Sequence, residues 1–176
     1  MPLGVGLLLA GLVKVEDVRI VPVPYDHPDA VKLMAEVQQV YVDRYGDEDV
    51  TPLSPEDFDP PQGLFLVGYQ GDEPVACGAW RAHDGPAPNF QPGDAEFKRM
   101  YVADSARGRG FARMLLFELE RTAALSGRKR AVLETGTKQP EAIALYLSSG
   151  YAEIPNFGIY RDEPDCRCYG KDLTEG

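Results

Sequence analysis

Residues 97–116 read Phe97-Lys98-Arg99-Met100-Tyr101-Val102-Ala103-Asp104-Ser105-Ala106-Arg107-Gly108-Arg109-Gly110-Phe111-Ala112-Arg113-Met114-Leu115-Leu116, and this stretch decides the fold. A short apolar strand, Phe97 to Ala103, leads through a glycine turn into a helix that runs to about Ser126. Gly108 and Gly110 let the backbone approach a ligand closely, and the start of the helix offers unpaired N–H groups at its positive dipole end. Such a turn binds anions. It lacks the Lys-Ser/Thr of a nucleotide loop and the spacing of G-x-G-x-x-G. It fits Arg/Gln-x-x-Gly-x-Gly/Ala, with Arg107, Gly110 and Ala112 on the fixed positions. A plain loop with surface arginines has the same local sequence, so the surroundings must decide.

Working outward, the helix after the turn has a firm apolar face. Phe111, Leu115 and Leu119 lie one turn apart, with Ala112, Leu116 and Ala123 beside them. Upstream, Leu64 to Tyr69 and Pro74 to Arg81 form a hairpin about Gln70-Gly71-Asp72-Glu73. Asp84 to Asp94, with three prolines and two glycines, is an irregular loop before the strand Glu96 to Ala103. Asp17 to Val23 is a first strand and Asp26 to Tyr45 a helix, on the spacing of Val31, Met34, Val37, Gln38, Tyr41 and Tyr45. Thr51 to Gln62 connects, with room for a short helix. Ala131 to Thr135 is a strand, Gln139 to Ser149 a helix with Pro140 in its first turn, and Tyr151 to Ile154 and Arg167 to Lys171 close the sheet. Strand–helix alternation amid antiparallel hairpins indicates an α+β or mixed α/β sandwich.

The 176 residues suit one domain, taken as 17–176, preceded by an apolar extension or extra strand over 1–16. Leu3 to Val13 lacks a basic leader and is too short to span a bilayer, so no membrane association is expected. The net charge of −10 argues against a nucleic-acid partner. It hides an asymmetry: residues 98–113 carry five cations against Asp104, and residues 36–59 carry eight acids against Arg44. A basic pocket beside an acidic approach suits an anionic cofactor and a cationic acceptor; plain solvated surface is the alternative for the acidic block. Cys77 reads as a core residue. Cys166 and Cys168 alternate on a late strand and point the same way. With two histidines elsewhere, no structural zinc and no other metal is expected. A reducing cytoplasm is the simplest compartment.

From Asp17 to Leu173 the chain resembles the GCN5-related N-acetyltransferases. The likeness rests on Met100-Tyr101-Val102, then Arg107 to Ala112, Leu115-Leu116, and Ala142-Ile143-Ala144-Leu145-Tyr146-Leu147-Ser148-Ser149-Gly150-Tyr151, in that order and spacing. It implies the acyl-CoA N-acyltransferase fold, a mostly antiparallel seven-stranded sheet with helices on both faces and a splayed central strand pair. It also implies acetyl-CoA as acyl donor. The diphosphate would rest on backbone N–H groups of Arg107, Gly108, Arg109, Gly110, Phe111 and Ala112. The pantetheine arm would pair beside Met100 and Val102, and N–H groups near Tyr101 and Val102 would meet the developing oxyanion.

The same resemblance makes Glu96 the candidate general base and Tyr146 the candidate general acid at the coenzyme A sulfur. Glu96 shares strand parity with Lys98, Met100 and Val102. An ammonium must lose a proton before attacking a thioester, so a base or water path is required. Many relatives carry an asparagine near the start of the last helix; here Gln139 is offered for that contact. Glu134 either faces the acceptor pocket or pairs with Arg128-Lys129-Arg130. Glu36, Tyr41, Tyr45, Asp47 and Trp80 are acceptor-side candidates. The expected activity is direct transfer of acetyl to a primary amine of a cationic small molecule. A peptide or protein amine is the alternative acceptor, and a non-catalytic acyl-CoA-binding module the alternative class. The sequence leaves a homodimer open.

Overall fold

The computed structural model describes residues 18–174; the extension expected over 1–16 lies outside them. Strands β1 (Val18–Pro22), β2 (Gly63–Gln70), β3 (Glu73–His83), β4 (Asp94–Val102), β5 (Arg130–Gly136), β6 (Ala152–Ile154) and β7 (Cys166–Asp172) form one sheet. Helices α1 (Pro28–Tyr45), α2 (Phe111–Leu125) and α3 (Pro140–Ser148) pack on it. The strand order is β1-β2-β3-β4-β5-β7-β6. Every neighbouring pair is antiparallel except β4 and β5, which run parallel. This is the expected mixed, seven-stranded, mostly antiparallel architecture.

Local chemistry sets the helix ends. Pro28 occupies the first turn of α1, and the His27 side chain accepts the Asp29 N–H, so the helix begins two residues later than its periodicity suggests. Gly46, at φ 82°, ends it in a left-handed cap. The buried stripe of α1 is Ala30, Leu33 and Val37, whereas Val31 is exposed. Aromatic and aliphatic groups of β2 and β3, among them Phe65, Val67, Cys77 and Ala79, receive that stripe on one face of the sheet. On the other face, Leu115, Leu116 and Leu119 of α2 pack against Trp80, Phe97 and Ala95. Each buried leucine there contributes about 1.5–3 kcal/mol. Gly78 makes this approach close: a Cβ would stand 3.0 Å from Leu119 Cδ1 and 3.3 Å from Leu115 Cδ2.

Two features of β4 shape the centre of the sheet. Its pairing with β5 ends at Phe97–Leu133, so beyond those residues the parallel strands diverge. Its pairing with β3 slips across Gly78, where Lys98 faces Ala79 but Tyr101 faces Cys77. The extra residue is a β-bulge with Arg99 at φ 58°, a left-handed conformation that costs a non-glycine residue about 1–3 kcal/mol. The bulge corrects the simple alternation expected for β4. Glu96 and Lys98 stay with Tyr101 on the α1 face, but Met100 and Val102 pass to the α2 face with Phe97. Among the described residues no helix is long and apolar enough to cross a membrane.

Candidate active site

The turn predicted to bind anions has the required shape. A single 3-10 turn, Asp104–Ala106, brings the chain off β4, and Gly108 and Gly110 take φ of 76° and 82°. Gly110 is the N-cap of α2 and offers no side chain to the first N–H groups. Met114 N–H bonds Gly110 O, but the N–H groups of Gly108 to Arg113 have no hydrogen-bond partner among the described residues. Nothing lies within 4 Å of where a Cβ would stand on either glycine. These features fit a diphosphate: a row of donors, an open approach and a helix dipole. Phe111 contributes only its backbone, because its side chain is buried. Arg107 binds Val102 O and Asp104, and Arg113 reaches Ser148 at the end of α3 and Ser149 that caps it.

Where β4 and β5 diverge, a cavity of about 60 Å³ is lined by Tyr41, Phe97, Met100, Leu133, Glu134, Thr135, Gln139, Ala142 and Tyr146. It joins the two sheet faces, with Tyr41 from α1 on one side and Tyr146 from α3 on the other. Past Phe97, β4 has no β5 partner, which leaves the edge beside Met100, Tyr101 and Val102 open for an extended ligand. Tyr146 packs near Tyr151 and Tyr169 and donates its hydroxyl to Met100 Sδ at 3.7 Å. Burial, with Tyr41 nearby, pushes its phenol well above the ordinary value, so the proton stays on oxygen at neutral pH. Gln139 caps α3 through its backbone, and its side-chain amide donates to Tyr45 Oη at 3.3 Å. That places it in the cavity wall.

Three carboxylates on the α1 face have very different surroundings. Glu96 is 3% exposed and accepts from Arg81 Nε at 2.7 Å, with His83 Nε2 at 3.1 Å from the same oxygen. Burial works to raise its pKa but is outweighed by His83, Lys98 and Arg81, so it lies below the ordinary carboxylate value. Asp49 accepts from the buried cations Lys98 and Arg99 and from Thr51. These outweigh its burial and hold it well below the usual carboxylate range. Glu134 sits at the divergence and has no ion-pair partner among the described residues. Burial pushes it up to about 7, with Asp49 and Glu96 adding and Lys98 opposing. Arg128 and Arg130 pair instead with Asp84 and Asp94, so Glu134 lines the cavity and does not pair with the basic run.

Other expectations divide. Tyr41 lines the cleft and Tyr45 borders it, but Trp80 is buried on the α2 face, where its indole donates to Thr122. Asp47 is exposed, and Glu36 pairs with Lys32. The local charge of 98–113 also splits: Lys98 and Arg99 turn inward to Asp49 and do not face the turn. Composition missed Arg81, His83 and Asp49 as site residues. Arg81 also bonds Asp57 and Pro52 O, tying the acidic segment to β3. Only the excess of acids at 47–49 hinted that one of them would meet a buried cation.

The comparisons with known proteins agree with the fold. The family model described as the acetyltransferase (GNAT) family matches residues 31–151. The chain is 34% identical over 134 residues to a protein of Azospirillum brasilense named IAA acetyltransferase, covering 76% of this chain and 84% of that one. A Klebsiella pneumoniae structure described as an acyl-CoA N-acyltransferase superposes with a TM-score of 0.72 at 26% identity, over 89% of this chain and 97% of that one. A GNAT acetyltransferase from Elizabethkingia anophelis, solved with acetyl-CoA bound, is 16% identical and shares the fold at a TM-score of 0.61, over 89% and 99% of the two chains. The chain belongs to the GNAT acetyltransferase family, which uses acetyl-CoA as donor.

Proposed function

We propose that this acetyltransferase moves acetyl to a primary amine of a small cationic molecule, with donor and acceptor meeting through the gap between β4 and β5. The observation that carries the reading is the continuity of three elements: an open anion turn at 107–112, the unpaired β4 edge, and a cavity spanned by Tyr146 and Glu134. When bound, acetyl-CoA supplies an activated acetyl thioester. Arg107 to Ala112 would hold its diphosphate through backbone N–H groups, and the edge at Met100, Tyr101 and Val102 would align its arm. Tyr146 keeps its proton and offers it to sulfur. Exposed acids at Asp43, Asp47, Glu48, Glu56 and Asp59 favour a cationic acceptor, because their summed field raises its local concentration.

Proton removal in this reading belongs to Glu134. Glu96, the position the family resemblance pointed to, already spends one oxygen on Arg81 and His83 and is the weaker acceptor of a proton. Its role is to orient the ammonium from the α1 face. Glu134 has neither restraint and lies in the cavity wall. The test is a panel of polyamines, amino sugars, basic amino-acid derivatives and IAA, read by coenzyme A thiol release with product mass. A cationic amine should give the highest kcat/KM. Silence across the panel despite tight acetyl-CoA binding would favour a non-catalytic acyl-CoA-binding module.

A further inference from the structure

We propose that Cys166, Cys168 and Glu134 form a binding site for a thiophilic divalent cation, such as zinc or cadmium, beside the acceptor end of the cleft. Alternation along β7 puts both thiols on one face, and antiparallel register sets Cys168 directly across from Glu134, with Cys166 opposite Gly136. One ligand atom from each of the three residues lies within 4.8 Å of the other two. Zinc takes thiolate sulfur at about 2.3 Å and carboxylate oxygen at about 2.0–2.2 Å, so donors around one ion stand roughly 3.5–4 Å apart. Small rotamer adjustments therefore close the set. Two sulfurs and one oxygen leave a fourth position for water or an incoming amine.

The surroundings suit such a centre. Val132 and Phe157 pack against the two cysteines, with Ile154 and Tyr160 at the margin, giving an apolar shell that slows exchange. The Phe157–Gly158 turn lies over the carboxylate: a Cβ on Gly158 would come within 3.2 Å of Glu134 Oε2. Both cysteines are free thiols and buried, whereas Glu134 is partly exposed, so an ion entering from the cleft meets the carboxylate first. Neither thiol has a place in the transfer chemistry. Binding forms two metal–sulfur bonds and one metal–oxygen bond and releases the thiol protons to water, with no change of oxidation state. A carboxylate held by the ion cannot take the acceptor's proton, so occupancy switches transfer off. That consequence rests on the role proposed for Glu134; the binding does not.

The test uses the full chain, reduced and stripped of metal, titrated with cadmium while the ultraviolet thiolate-to-cadmium band is followed. The expected result is a band saturating at one ion per chain, lost in C166S and in C168S and kept in Cys77→Ala, whose thiol lies under β4. No band in the parent, or a band that survives the C166S/C168S double variant, overturns the site. X-ray absorption of the zinc-loaded parent needs no variant: sulfur at about 2.3 Å is expected, and a shell of nitrogen and oxygen alone overturns the site. Zinc should also lower the transfer rate at least tenfold, reversibly with chelator, in the parent but not in C168S. Saturated binding with undiminished transfer would leave the site standing and overturn the role given to Glu134.

Discussion

The proposed donor half and the proposed acceptor half of the cleft are built on opposite plans. The donor half, residues 104–113, leaves its polar groups unspent: six consecutive N–H groups have no partner among the described residues, and two glycines stand clear of neighbours. The acceptor half leaves its exposed acids free but pairs each of its buried charges. Arg81 joins Glu96 and Asp57, and Asp49 joins Lys98 and Arg99. A site for a large anion needs donors held ready, and a helix start supplies them without burying charge. A site for a small ammonium buries carboxylates beside the sheet, and each requires a cation to remain ionised. Glu134 is the exception in the acceptor half, and the chemistry is assigned to it for that reason.

The largest effect should come from undoing the pairing. Asp49→Asn leaves Lys98 and Arg99, both over nine-tenths buried, without their carboxylate. Breaking a buried pair costs about 3–5 kcal/mol, and the partial exposure of Asp49 places this near the lower figure. Chemical denaturation should register it as a shifted midpoint with an unchanged slope. The sign with pH follows from the depressed pKa. The folded chain binds the Asp49 proton more weakly than the unfolded one, so the stabilisation is full above the ordinary aspartate value. It is lost as pH falls below that value toward the folded one. D49N should flatten this acid dependence; a parent-like acid transition would show that Asp49 does not carry it.

Next comes Glu134→Gln, expected to lower kcat by about a hundredfold, within the range for a general base. The defect should shrink with acceptors whose amines are already neutral at assay pH. Equal defects across an acceptor series of graded amine pKa would remove Glu134 from proton transfer. The donor half should respond through binding instead. Gly110→Val forces a β-branched residue to φ 82° with no clash inside the fold, a strain of about 1–2 kcal/mol. Acetyl-CoA affinity should fall about tenfold or more while the melting curve stays cooperative. Calorimetry showing parent-like affinity would move the diphosphate away from this turn. Tyr146→Phe keeps the ring packing and should cost kcat about tenfold with little change in cofactor affinity. Parent-like turnover with chemistry rate-limiting would return Tyr146 to a packing role.

The same contrast governs how much was legible in the sequence. The donor half is local: strand, glycines and helix follow within about twenty residues, so Arg107 to Ala112 could be read in order, as could Tyr146 on the last helix and Gln139 at its cap. The acceptor half is assembled across the chain. Asp49 meets residues fifty positions away, and Glu96 meets Arg81 and His83 through strand pairing that no local pattern specifies. The bulge at Arg99 matters most. Simple alternation puts Glu96, Met100 and Val102 on one face, and one extra residue opposite Gly78 sends the latter two to the other. Nothing in the strand's own composition signals it, because the left-handed turn falls on an arginine whose compensation, the Asp49 pair, comes from a distant loop.

Glu96→Gln should show the smallest effect, and it separates the two carboxylates most sharply. The amide keeps the shape of the group, and Arg81 retains Asp57 as a partner at 3.0 Å, so no buried cation is stranded. If Glu96 orients the acceptor, the loss appears as a few-fold rise in KM with kcat close to the parent, since removing a charge that only holds the ammonium weakens ground state and transition state alike. Acceptors of low amine pKa should then show the same few-fold loss as those of high pKa. If Glu96 were the base, kcat itself would fall and would recover as the amine became easier to deprotonate. In steady-state kinetics across one acceptor series, the two assignments therefore exchange which of E96Q and E134Q has a defect that depends on amine pKa and which has a flat one. A defect in E96Q that grows with acceptor pKa while E134Q shows none would transfer the proton to Glu96 and make Glu134 the positioning group.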